Sequence, residues 1–146
     1  YLLYSIFDKA GKSHYNNGKK ITLNRKGQIK MGVRKTLSVE NVDRIGGGVG
    51  VTELHHLMSK DEFYGTGKMF AKVVLHPGNT IGWHEHIDEV EYYYILTGEG
   101  DFTNPDKTVT HVGPGDFCTM NPNQGHAIAN TGKEDLVFMA LILYVK

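Results

Sequence analysis

At 146 residues the chain is long enough for one hydrophobic core and too short for two, so one principal domain is expected. Sixteen Lys and Arg balance sixteen Asp and Glu without any basic run, which argues against a nucleic-acid or anionic-membrane partner and for a small ligand. The single cysteine, Cys118, excludes an internal disulfide, and no stretch approaches the ~20 apolar residues of a membrane span, so a reducing, cytoplasmic setting is expected.

Eighteen glycines, eight tyrosines and six phenylalanines favour short strands joined by tight turns, an all-β class. Residues 1–30 are polar, Lys/Asn-rich and weakly patterned, and read as an N-terminal arm or a dispensable leader with a boundary near Met31. Within the arm, Lys19–Leu23 and Gln28–Val33 are expected to pair as a hairpin around Asn24-Arg25-Lys26-Gly27. The Gly-rich run Gly46–Gly50 lacks the strand, helix and Lys-Ser/Thr context of a phosphate cradle and reads as a loop. Ser59–Tyr64 is expected to form one short helical turn.

Strand signals then follow in quick succession: Met69–Leu75, Gly82–His86, Val90–Thr97, Gly100–Asn104, Lys107–Val112, Asp116–Met120, His126–Asn130 and Val137–Val145. Turn chemistry such as Pro77-Gly78, Asn104-Pro105-Asp106 and Gly113-Pro114-Gly115 separates them. Short strands at even spacing, with no room for crossover helices, predict a double-sheet jelly roll or a small barrel.

Trp83-His84-Glu85-His86 sets two imidazoles two residues apart, on one face of a strand. Glu91 begins the next strand, and His126 opens a later one after a Pro/Gly loop. Isolated histidines on strands are ordinarily satisfied by hydrogen bonds. The grouping is what argues for a metal, and three His with one carboxylate and no thiolate suit Mn, Fe, Ni, Co or Zn.

These residues resemble the cupins, whose first motif, G-x5-H-x-H-x3,4-E-x6-G, is met by Gly78, His84, His86, Glu91 and Gly98. In the second motif, G-x5-P-x-G-x2-H-x3-N, Gly115, His126 and Asn130 keep their spacing, whereas Pro122 and Gly125 are displaced. The resemblance implies a double-stranded β-helix, that is a jelly-roll barrel over 31–146 with its core motifs over 78–130 and a short β arm before it. It also implies one divalent transition-metal ion held by His84, His86, Glu91 and His126. Glu89 shares the parity of Glu91, but its two-residue gap from His86 does not fit the family spacing.

Tyr93 shares the face of Glu91 and is a candidate pocket wall, with Met120 and Phe138 beside it and His56 at the mouth; plain core packing accounts for such residues equally well. His14, His76 and His111 read as surface or turn residues, and Cys118 as a buried small hydrophobe. No lysine or second carboxylate is visibly placed as an acid or base. The resemblance implies a metal-dependent dioxygenase, decarboxylase or isomerase acting on a small oxygen-rich molecule (carboxylate, diketone or sugar), with a non-catalytic binding or sensory module as the alternative. A homodimer is expected, an arm such as Lys19–Val39 exchanging to cover sheet edges.

Overall fold

The computed structural model describes residues 32–145, together with the backbone of His14–Asn16 and Lys19–Ile21. Its contacts group the chain into Tyr1–Arg34 and Lys35–Lys146. In the first unit β1 (His14–Asn16) pairs antiparallel with β2 (Lys19–Ile21). The hairpin expected between Lys19–Leu23 and Gln28–Val33 falls mostly on residues outside the described ones.

The second unit contains β3 (Ser38–Asp43), β4 (Val51–His56), β5 (Gly67–Leu75), β6 (Thr80–Glu85), β7 (Glu89–Thr97), β8 (Gly100–Thr103), β9 (Val109–Val112), β10 (Phe117–Thr119), β11 (Gly125–Ala129) and β12 (Leu136–Tyr144). They form two antiparallel sheets in the order β10-β7-β12-β5-β4-β3 and β6-β11-β8-β9, the double-sheet architecture expected. Every strand expected from Met69 onward forms. The strands β3 and β4 are not announced by patterning, because Glu, Asn and His interrupt their valines; β4 is ordered by pairing with β5, and β3 by pairing with β4. The turn at Ser59–Tyr64 forms as a 3-10 helix, Lys60–Phe63, with the Glu62 carboxylate accepting from the Ser59 N–H at 2.8 Å. Among the described residues no helix is long and apolar enough to cross a membrane.

Alternation supplies the core. Along β12, Leu136, Phe138, Ala140 and Ile142 point inward and are buried, while Val137, Met139, Leu141 and Leu143 are only half-buried. Phe138, Leu75, Ile95, Ile128 and Val73 pack at the centre, each contributing about 1.5–3 kcal/mol by leaving water.

Two irregularities re-aim side chains. Between β6 and β11, His126 faces His84 but Ile128 faces Ile81, so Gly82 and Trp83 oppose the single residue Ala127. This bulge turns both Ile81 and His84 inward, which strict alternation forbids. Between β5 and β12, Ile142 faces Met69 and Leu143 faces Gly67, which makes Lys68 the extra residue. The Gly-rich run lies against β6 rather than hanging free. A Cβ on Gly46 would come within 2.6 Å of the Gly82 carbonyl oxygen, and one on Gly82 within 2.3 Å of the Gly46 carbonyl oxygen. Only paired glycines permit that approach, which carries Ile45 to the site described next.

Candidate metal centre

Three segments deliver four side chains to one point. β6 carries His84; His86 follows just beyond its end, fixed by its N–H donating to the Gln124 carbonyl (3.1 Å) and its carbonyl accepting from the Asn123 N–H (2.9 Å). β7 carries Glu91, and β11 carries His126 directly opposite His84. Although Pro122 and Gly125 are displaced from the family pattern, the loop between β10 and β11 is thereby tied to His86 and still presents His126. The motif residue Asn130 is structural: its amide donates to the carbonyls of Leu75 (2.7 Å) and Glu134 (2.8 Å), and its oxygen accepts from the Gly132 N–H (3.0 Å).

One oxygen of Glu91 is the focus. Its Oε2 lies 2.9 Å from His126 Nε2, 3.1 Å from His86 Nε2 and 3.5 Å from His84 Nε2, and the His84 and His126 Nε2 atoms are 3.1 Å apart. Glu91, His126 and His86 are buried at 3%, 1% and 5% exposure, and His84 is half-buried. Two rings are oriented from behind, His84 by Nδ1–H donating to the Gly82 carbonyl (2.9 Å) and His86 by Nδ1 on the Glu89 carboxylate (3.4 Å). That leaves each Nε2 lone pair facing the cluster.

Electrostatics follow from this convergence. Burial pushes the Glu91 carboxyl up, but contacts with His126, His84 and His86 outweigh it and hold the group well below its ordinary range. Glu91 in turn raises His86, whereas burial pulls His126 down and favours its neutral form. Burial, then the Glu91 charge, push the Tyr93 phenol well above its usual value and keep it protonated. Cys118, raised to about 11 by burial and then by Asp116, is an inert core thiol, as expected.

The donors fit a cation. His86 Nε2 and Glu91 Oε2 are buried without any hydrogen bond, and two imidazole nitrogens confront each other across 3.1 Å. Bonds of about 2.1 Å to one ion place neighbouring donors ~3.0 Å apart in an octahedron and ~3.4 Å apart in a tetrahedron. The observed 2.9–3.5 Å separations match that spacing, and four ligand atoms lie within 4.8 Å of one another. A nitrogen and hard-oxygen set of this kind belongs to first-row divalent metals. Among the described residues no other such group occurs.

The cluster opens into a cavity of about 260 Å³, whose wall is chiefly apolar and includes Ile45, Leu54, Met69 and Ile142. Of the expected pocket residues, Tyr93 lines it. Phe138 and Met120 are buried but not on its wall, and His56 pairs instead with Glu40 at 3.1 Å. Lys68, to which patterning gave no role, lines the cavity with its Nζ 2.6 Å from Oε2 of Glu89, a residue that lies behind His86 rather than among the four donors. The parity of Glu89 was readable; the placement of Lys68 depends on a bulge that no sequence pattern shows. A larger open groove of about 660 Å³, bordered by Trp83, Glu85, Asp106 and Lys107, contains none of the four donors.

The profile of the cupin domain matches residues 71–143. Over 107 residues the chain is 39% identical to an oxalate-binding protein of Thermotoga maritima, a match covering 73% of this chain and 88% of the relative. It is similar in structure to a protein from Thermotoga maritima described as a predicted oxalate decarboxylase, with a TM-score of 0.74 and 37% identity over 79% of this chain and all of the other. A polyketide cyclase of Streptomyces resistomycificus, 17% identical, shares the fold with a TM-score of 0.64 over 80% of this chain and 81% of its own.

Proposed function

Because this chain belongs to the cupin family, we propose that it holds one divalent transition-metal ion through His84, His86, Glu91 and His126 and binds a small carboxylate there. The observation that carries the reading is the convergence of three Nε2 atoms on one buried carboxylate oxygen. The oxalate-binding relative puts oxalate first among ligands to be tried. A divalent ion held there supplies Lewis-acid polarisation of a bound carboxylate or carbonyl.

The chain's own residues do the rest. Glu91 supplies the negative charge that holds a cation, its carboxylate kept ionised by the three rings. Gly82 and Glu89 fix the tautomers of His84 and His86. The protonated Tyr93 phenol lies against Glu91, and apolar Ile45, Leu54 and Met69 restrict water on the ligand side. Turnover is our first reading; a non-catalytic binding module is the second, favoured by the relative's being an oxalate-binding protein.

Elemental analysis of the purified protein, with anomalous scattering to locate the ion, tests the site. Calorimetry with oxalate followed by recovery of the ligand then separates the readings, since an enzyme returns product and a module returns oxalate. We place the protein in a reducing compartment, in keeping with the unpaired Cys118. We also infer a homodimer. It is supported by the outer face of the larger sheet, where Phe117 is 61% exposed beside Tyr94 at 47% and stacks on Tyr92. Light scattering should give about twice 16.3 kDa; a mass near 16.3 kDa rules the dimer out.

A further inference from the structure

We infer that Lys68 is the anion-recognition residue of the cavity, a specificity determinant that contacts the ligand rather than the metal. The inference rests on the carboxylate-binding reading above and adds to it the group that reads the ligand's charge.

Four observations carry it. Lys68 is the one cation among the described residues lining the cavity, whose wall is otherwise apolar apart from the metal cluster and Tyr93. Strict alternation places Lys68 on the outer face of β5, because its neighbours Met69, Ala71 and Val73 point inward; the bulge opposite Ile142–Leu143 breaks that alternation at this residue. Glu89, only 13% exposed, fixes the ammonium at 2.6 Å, and the same carboxylate oxygen reaches His86 Nδ1 at 3.4 Å. The ammonium is therefore two contacts from a ligand ring. Finally, the Lys68 side chain is 41% exposed, so its donors remain open to a molecule entering the mouth.

Charge decides what it recognises. Glu89 and Glu91 supply two negative charges, and a divalent ion with Lys68 supplies three positive ones, so the loaded cavity attracts an anion. An ammonium carries three donors and no acceptor, which suits a carboxylate. The enclosed volume of about 260 Å³ confines the class to small mono- and dicarboxylates.

The test compares wild-type, Lys68→Met and Lys68→Arg proteins, each metal-loaded, by calorimetry with oxalate, malonate and pyruvate, with metal content measured in parallel. Neutral imidazole, which also binds metals, is the control ligand. The expected result is unchanged metal content and unchanged imidazole binding. Carboxylate affinity should fall about 10–100-fold in Lys68→Met, as for loss of a hydrogen bond to a charged group, and recover in part in Lys68→Arg. Carboxylate affinity in Lys68→Met equal to wild type overturns the assignment while leaving the metal and carboxylate reading intact. Loss of metal from Lys68→Met also overturns it, since Lys68 would then act through Glu89 on His86. If metal-loaded wild type binds none of the three acids, the underlying reading falls and the inference with it.

Discussion

All seven histidine side chains that are described meet a carboxylate, but they do so in two ways. Away from the cluster each histidine has its own nearest carboxylate, within reach of solvent: His55 with Glu53 (3.0 Å), His56 with Glu40 (3.1 Å), His76 with Asp135 (2.8 Å) and His111 with Asp101 (2.9 Å), with Glu53 and Glu99 as second, longer contacts of His76 and His111. Inside, His84, His86 and His126 converge on a single oxygen of Glu91. Pairs of the first kind contribute little because water already solvates the partners. The buried group is different. Desolvating a carboxylate costs several kcal/mol, and three rings that share one acceptor atom cannot each make a good hydrogen bond with it. Convergence out of reach of solvent gives a group that could hold a cation, whereas single pairs within reach of solvent remain marginal contacts.

The largest effects should come from breaking the convergence. His84→Ala or His126→Ala should leave less than about a tenth of the wild-type metal after dialysis, and Glu91→Gln should weaken binding by more than the ~10–100-fold typical of residues behind the ligands. His55→Ala, His111→Ala and Glu53→Gln should leave metal content unchanged. Metal retained in all three interior variants, as judged by elemental analysis, would erase the distinction.

Removing the ion should matter next. At a free metal concentration 100-fold above Kd, bound metal stabilises the fold by about 2.7 kcal/mol. Chelation should then lower Tm by about 5–10 °C for a chain of this length. A His126→Ala protein should show no such drop. A chelator shift of the same size in that variant would move the binding to the surface groups.

How much of this contrast could be read beforehand depends on the residue. His84, His86 and Glu91 were readable because parity and a motif agree, and the interior register of Glu91 with Tyr93 and Ile95 follows from unbroken alternation in β7. His126 was readable through spacing, since β11 needs only to lie opposite β6. What patterning could not supply were the bulges at Gly82–Trp83 and at Lys68, which depend on the partner strand rather than on local preference. The same limit hid β3 and β4, the second ordered by β5 and the first by β4, and patterning could not show that His56 meets Glu40 across the strand pair.

Proton competition is a smaller and more gradual way to separate the two groups. The interior rings bind metal only when neutral, so affinity should fall as pH drops below about 6.5. Contact with Glu91 raises His86 and burial lowers His126, so His86 takes up a proton before His126. Competition titrations with a metal-sensitive dye between pH 7.5 and 5 should show binding weakening by more than tenfold per unit once a second ring protonates. A flat profile would mean that the imidazoles are not the ligands.

The smallest expected effect lies on the surface, at His76. Its hydrogen bond with Asp135 is the main cause of its raised pKa, opposed by slight burial and aided by Glu53, whose own pKa is lowered chiefly by His55. A histidine whose folded pKa exceeds its unfolded value adds stability that is fully present below about pH 6.5 and disappears as pH rises through the folded value. The carboxylate partner has the opposite sign: Glu53 contributes above its unfolded value and loses that contribution as pH falls through the lowered folded one. Wild type should therefore exceed His76→Gln in Tm near pH 5.5 and match it near pH 9. Because the His76 side chain is 48% exposed, solvent screening limits the difference to about 0.5 kcal/mol. A difference above 2 kcal/mol, on the order expected only for a desolvated pair, would place His76 with the interior histidines and break the division between the two groups.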